Sequence, residues 1–257
     1  MFANVFVRKG VIIGFISVLG LTGCAANSKP GVEGVEDART EELLSMSRSE
    51  LAKQESYTIQ MEQQQESMTK SEKKNGKGFS STVSFHVDYI KNPYTVHVKT
   101  TTSEGKEREA YLSDTEFHEK LIEDLFVKQG TEQLEEEKQN VQRFINPYHY
   151  IDTYLIDSEN ITLTEEEENY TFHIDLSSEE ASEETRQWMK KNFTDNIKLT
   201  YTLNKTTLLP QKVEAEILTS YKAKLLDAEA VLKSKTNISN FNGVEEIVMP
   251  EDFSGEE

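Results

Sequence analysis

The chain has 257 residues, 28 Lys+Arg against 46 Asp+Glu, and a formal net charge of −18. That acidic balance excludes a nucleic-acid binder, which needs a basic face to neutralise phosphates. A single cysteine excludes a disulfide framework and a cysteine-rich metal site, while 36% hydrophobic residues with 12 Phe and 10 Tyr suffice for a core.

The N-terminal segment is rich in signals. Arg8 and Lys9 precede an apolar run over residues 11–21. Eleven helical residues reach about 16 Å, short of the ~30 Å hydrocarbon core, so the run reads as the apolar region of a secretory signal. It ends in Leu21-Thr22-Gly23-Cys24, which resembles the bacterial lipobox. The resemblance implies that residues 1–23 are a lipoprotein signal peptide. Cys24 would receive a diacylglyceryl group on its thiol and become the first residue of the mature chain. A thiolate is the natural nucleophile for that thioether, and two acyl chains anchor stably where one is marginal. Losing Arg8 and Lys9 would take the formal charge from −18 to −20. Residues 25–36 (AANSKPGVEGVE) have two glycines, a proline and no apolar period, and read as a tether reaching at most roughly 40 Å. The expected location is the extracytoplasmic face of the cell membrane, held by acyl chains on Cys24 rather than by a basic patch.

From residue 37 to 257 the sequence reads as one domain, since no further stretch is rich in Pro, Gly or Ser. A helix is expected over 37–53, with Asp37 as its N-cap and Leu43, Leu44, Ser47 and Leu51 at helical spacing. The period then changes to two: Tyr57, Ile59 and Met61 alternate with polar residues, and Asn75-Gly76 signals a hairpin turn. Val83, Phe85, Val87 and Tyr89 alternate next, followed by Tyr94, Val96 and Val98. Taking residues 90–93 as the loop puts Val87 opposite Val96 and Phe85 opposite Val98. Two later hairpins obey the same test. Ile161 and Leu163 would face Phe172 and Tyr170 across an acidic loop, and residues 197–203 return as 213–217. Residues 109–112 read as a strand, and 117–126 as either strand or helix. A helix is expected over 131–145, broken at Pro147, with a turn or short helix over 148–156. Ser177-x-x-Glu180 reads as a capping box leading to a helix with Trp188 and Met189. The last strand covers 227–240. Hairpins with one wet face each indicate an antiparallel sheet.

This order of elements resembles the lipoprotein-carrier superfamily of LolA-like and LppX-like proteins. It resembles still more a family of Gram-positive lipoproteins of unassigned function. The residues carrying the likeness are the lipobox at Cys24, Ser56-Tyr57-Thr58-Ile59 after the first helix, and the Asn92-Pro93-Tyr94 turn. Further matches are the stretch from Tyr201 to Pro210 and the closing Ile247-Val248-Met249-Pro250-Glu251. The resemblance implies an α+β fold: a curved, unclosed antiparallel sheet, or half-barrel, with helices packed on its concave side. It also implies a cavity between sheet and helices that holds acyl chains. Ile59, Met61, Phe85, Val87, Val96, Val98, Leu199 and Tyr201 would line it, with Trp188 capping from a helix. The helical insert departs from the pattern in carrying Glu135-Glu136-Glu137.

Other constellations carry blander readings. His86 and His97 would face each other on the polar side of their hairpin. No third ligand stands at a fixed spacing, so solvated strand residues are expected and no metal. The acidic runs 135–137 and 165–168 lack the alternation of a calcium loop. Tyr148-His149-Tyr150 reads as core or as a ligand mouth. The chain has no nucleophile elbow, phosphate loop or metalloprotease helix, so neither an enzyme nor a cofactor is expected. Two roles follow. One is a membrane-anchored module binding a hydrophobic ligand such as a lipid or acyl chain. The other is a non-catalytic interaction protein presenting its acidic surface to an envelope protein or cell-wall partner.

Overall fold

The computed structural model describes residues 34–69, 78–122, 125–154, 156, 160–223 and 226–251. The lipobox with Cys24, the apolar run before it and the Asn75-Gly76 turn lie outside them. Glu33–Glu257 forms one compact unit.

Helix α1 (Gly34–Ala52) leads into β1 (Ser56–Thr69), β2 (Phe79–Ile90), β3 (Thr95–Thr102), β4 (Glu107–Ser113), β5 (Phe117–Ile122) and β6 (Leu125–Lys128). Helices α2 (Thr131–Ile145) and α3 (His149–Tyr154) follow, then β7 (Thr162–Glu165), β8 (Asn169–Ser177) and α4 (Glu183–Lys191). β9 (Thr194–Asn204), β10 (Pro210–Ala223) and β11 (Leu226–Ser239) complete the order. All eleven strands join one antiparallel sheet in the order β6-β5-β4-β3-β2-β1-β11-β10-β9-β8-β7. β6 and β7 are its two edges, so the sheet is curved but unclosed, and the helices pack on its concave side.

Alternation sets which side chains meet the helices. In the first half, Ile59, Val87, Val98 and Ala110 occupy one rung across four strands. In the second half, Val213, Tyr201, Phe172 and Leu163 do the same. Ile238 of β11 pairs with Ile59 and joins the halves. The concave face is therefore mainly apolar, because a period of two puts every second residue on one face, with Thr236 and Ser234 of β11 and the Arg108–Glu119 pair at β4–β5 as polar exceptions.

Each helix presents a matching stripe. Leu43, Leu44 and Ser47 of α1 are buried, with Leu51 packed at the margin, and Leu134, Val141 and Ile145 of α2 are buried. Ser47 fits an apolar stripe because its hydroxyl donates to the Leu208 carbonyl at 2.5 Å and receives the proton of the Tyr148 hydroxyl. Asn146 separates α2 from α3; its side-chain oxygen accepts from the Tyr148 amide at 3.0 Å, and Pro147 stops the first helix.

Four expectations need correction. The β2–β3 turn is residues 91–94, so Val87 faces Val98 and Tyr89 faces Val96, a shift of two. In the β7–β8 hairpin Leu163 faces Phe172, again a shift of two, and Ile161 lies before the strand. Helix α1 starts at Gly34, which places Asp37 inside it rather than at its cap. Ser177 does bond Glu180, at 2.7 Å, but within a turn; the N-cap of α4 is Ser182, which accepts from the Thr185 amide. The ambiguous 117–126 segment is two short paired strands.

Candidate functional site

The last turns of α1 stand over the concave face without closing on it. Between them lies a cleft of about 390 Å³ lined by residues from three separate stretches of chain. Arg48, Leu51, Ala52 and Gln54 come from α1 and the turn after it. Tyr57, Tyr89 and Lys91 come from the sheet and the β2–β3 turn, and Gln142, Ile145 and Tyr148 are among those from the α2–α3 junction.

These walls are held in place by specific contacts. The Tyr57 hydroxyl donates to the Ile145 carbonyl at 2.7 Å, tying β1 to the end of α2. Burial pushes its pKa far up, so it stays a neutral donor. The rings of Tyr57 and Tyr89 lie 4.9 Å apart and tilted. Lys91 donates to the Ala52 carbonyl at 2.7 Å, which satisfies one of the free acceptors at the end of α1. The Arg48 guanidinium forks onto Asp152 of α3 at 2.7 and 3.3 Å and lies 4.4 Å from the Tyr148 ring centre. Burial raises the Tyr148 pKa to about 12.

Arg48 also lines a second cleft, nearer the start of α1. It measures about 300 Å³ and is lined by Glu41, Leu44, Ser45, Ile151, Ile156 and Ile161 besides Arg48. One arginine thus lines both an aromatic cleft, with Tyr57, Tyr89 and Tyr148 in its walls, and a more aliphatic one.

The nine residues expected to line a cavity are all on the concave face or on the helix above it, and neither cleft is lined by any of them. Ile59, Met61, Val87, Val96, Val98, Leu199 and Tyr201 are buried in the core. Phe85 is partly buried and stacks on Phe144 of α2 at 4.9 Å. Trp188 of α4 meets Tyr154 edge-on at 4.6 Å. They form the floor that the helices pack against, and the clefts open at its margin. Arg48 and Lys91 carried no sequence signal, since each is one cation among 28; Tyr57 and Tyr89 were visible only as apolar strand positions. Tyr148 and Ile151 belong to the core, and Glu137 of the acidic run reaches Arg108 on the sheet at 2.9 Å.

The convex face holds a polar network. His97 stands opposite Asp88, not His86, because of the register shift. Its Nε2 is 2.9 Å from Glu109 and its Nδ1 is 3.8 Å from Asp88, while its ring stacks on Tyr111 at 4.3 Å. Burial alone would raise the Glu109 pKa, but hydrogen bonds from His97, Lys120 and Lys99 outweigh it and hold the value at about 2. Among the described residues, no group of three or more His, Cys, Asp or Glu side chains is arranged to hold a metal ion. No described helix is long and apolar enough to cross a membrane.

Comparison with known proteins returns one sequence family and several solved structures. The profile of a family of unknown function, DUF6612, matches residues 39–255. No curated protein matches. Among solved structures the chain is similar to the Mycobacterium tuberculosis lipoprotein LppX, at 10% identity and a TM-score of 0.46 over 84% of this chain and 100% of that one. It is also similar to a DUF1329 family protein from Desulfovibrio piger, at 8% identity and a TM-score of 0.26 over 82% of this chain and 95% of that one.

Proposed function

We propose a role for this chain, which belongs to the family of unknown function DUF6612, as a membrane-anchored extracytoplasmic lipoprotein that binds a hydrophobic ligand between its sheet and helices. The observation that carries the reading is the cleft of about 390 Å³ between α1, the sheet and the α2–α3 junction, with Leu51, Tyr57, Tyr89 and Ile145 in its walls. Its volume falls in the range of small-molecule sites, roughly 300–1,000 Å³. Tyrosines suit such a wall because each offers a large apolar ring and one polar tip. Behind the cleft the same face continues as Ile59, Val87 and Val96, apolar surface that a displaced helix would expose to an acyl chain.

The anchor rests on the sequence: a short apolar run, then Leu21, Thr22, Gly23 and the sole cysteine, Cys24. The tether after it would hold the cleft within reach of the bilayer. The ion pairs of the convex face work against the alternative role as an acidic docking surface. Lys212 meets Glu214 at 2.8 Å and Lys198 meets Asp175 at 3.3 Å, so part of that charge is already answered within the sheet.

Two measurements test the proposal. Cys24→Ser should move the protein out of the membrane fraction and abolish acylation; a variant still acylated would refute the anchor. Native mass spectrometry of delipidated protein should show one bound 16-carbon chain at micromolar concentration, and its absence would refute the ligand.

A further inference from the structure

We infer that the cleft beneath α1 takes a single acyl chain ending in an anion, with Arg48 and Lys91 holding the head. The inference rests on the ligand-binding reading above and adds the charge of the ligand. Twelve residues line the cleft, and the charged ones among them are Arg48 and Lys91, both cations. This is unusual local chemistry in a chain of net charge −18. Besides their structural contacts to Asp152 and the Ala52 carbonyl, the two cations give the aromatic cleft a positive lining that attracts an anion.

Each cation can turn to a ligand at small cost. The Arg48–Asp152 pair is solvated on both sides, with 39% and 44% of the side chains exposed, and such pairs hold their partners weakly. A guanidinium presents five donors in a planar fork, so it can keep one contact to Asp152 and grip a carboxylate or phosphate with the rest. The ring of Tyr148 beneath it keeps it at the cleft wall. Lys91 spends one donor on the Ala52 carbonyl and stands 3.8 Å from Glu55. An ammonium has three donors, which leaves two for a ligand. Beside the cations, Leu51, Tyr57, Tyr89 and Ile145 offer the surface for the chain. The volume of about 390 Å³ lies at the small end of ligand sites and suits one chain rather than two.

The head could be the carboxylate of a free fatty acid or the phosphate of a monoacyl phosphate; both present oxygens a guanidinium can fork. Full-length protein in sugar-headgroup detergent would be photo-crosslinked with three probes sharing one diazirine-bearing 16-carbon chain: the acid, the monophosphate and the neutral alcohol. The expected result is labelling on Leu51, Tyr57 or Tyr89, half-saturating for at least one anionic probe about tenfold below the alcohol. Which anion leads identifies the source. In R48Q/K91Q that anionic probe should fall to within twofold of the alcohol, and R48K/K91R, which keeps both charges, should retain the preference. Equal labelling of the unaltered protein by all three probes, or a preference that survives R48Q/K91Q, overturns the anion reading and leaves the hydrophobic ligand standing. Labelling of the cleft by none of them overturns both.

Discussion

The two faces of β1–β4 are built from adjacent residues yet owe their burial to different causes. On the concave side, Ile59, Val87, Val98 and Ala110 are 0–4% exposed beneath the helices. One residue along each strand, Thr58, Asp88, His97 and Tyr111 form the outward rung. No helix covers that rung among the described residues, yet Thr58 is buried and only 13% of the His97 side chain is exposed. The first face is sealed by a second layer and the hydrophobic effect. The second is sealed by its own cross-strand contacts: Thr58 to Asp88 at 2.7 Å, His97 to Glu109 at 2.9 Å and His97 stacked on Tyr111. Burial alone therefore does not identify the core of a single-sheet protein; the chemistry of what covers a residue does.

Core truncation gives the largest contrast. Ile59→Ala deletes buried methyl and methylene groups against a packed neighbourhood and should cost about 3–4 kcal/mol. His97→Ala on the opposite face removes more atoms but leaves a site that water can fill, so its cost should be about 1–2 kcal/mol. Urea unfolding midpoints at neutral pH measure both. A His97→Ala cost equal to that of Ile59→Ala would break the distinction between the faces.

Tyr57→Phe probes the seam where sheet meets helix. The change keeps the ring packed against Tyr89 and deletes the hydroxyl that donates to the Ile145 carbonyl. The carbonyl ends α2 and would lose its partner, so a loss of about 1–2 kcal/mol is expected with an unchanged urea m-value. A loss below ~0.3 kcal/mol would mean that water reaches the carbonyl through the cleft and replaces the hydroxyl.

The faces differ in how much of them the sequence discloses. Tyr57, Ile59 and Met61, or Ile197, Leu199 and Tyr201, announce the concave face by alternation alone, and all six are buried. Alternation cannot fix register, because sliding a strand by two residues leaves every side chain on its original face. That is why both the β2–β3 and β7–β8 hairpins pair two positions away from expectation while their apolar rows still meet. Turn position decided the matter: the four-residue β2–β3 turn is Lys91 to Tyr94, one residue later than alternation suggests. The cleft was illegible for another reason. Its walls come from residues 48–57, 89–91 and 142–148, and no local pattern reports that a helix end, a strand turn and a helix junction meet. The Glu109 network was equally hidden, since charged residues at alternating strand positions ordinarily face water.

Glu109 gives the smallest effect and the one that separates the faces by mechanism. Its carboxyl lies at about 2 in the folded chain, against an ordinary value of 4.5. A depressed carboxylate stabilises the fold above its unfolded value, and that contribution fades as pH falls from about 4.5 toward 2. The shift taken at face value would correspond to roughly 3 kcal/mol. Solvent screening on an open sheet face should reduce this to about 1 kcal/mol. Glu104, Glu116 and Glu165 are lowered too, so the chain as a whole loses stability across this window, and the Glu109 share lies in a difference. Urea titrations at pH 5, 4, 3 and 2 should show Glu109→Gln about 1 kcal/mol less stable than the parent at pH 5 and converging with it by pH 2. Ile59→Ala should hold a constant gap over the same series, because a packed methyl group binds no proton. Parallel curves for Glu109→Gln would mean that Lys99, Lys120 and His97 position the carboxylate without holding its charge. The outward rung would then be sealed by packing, as the inward one is.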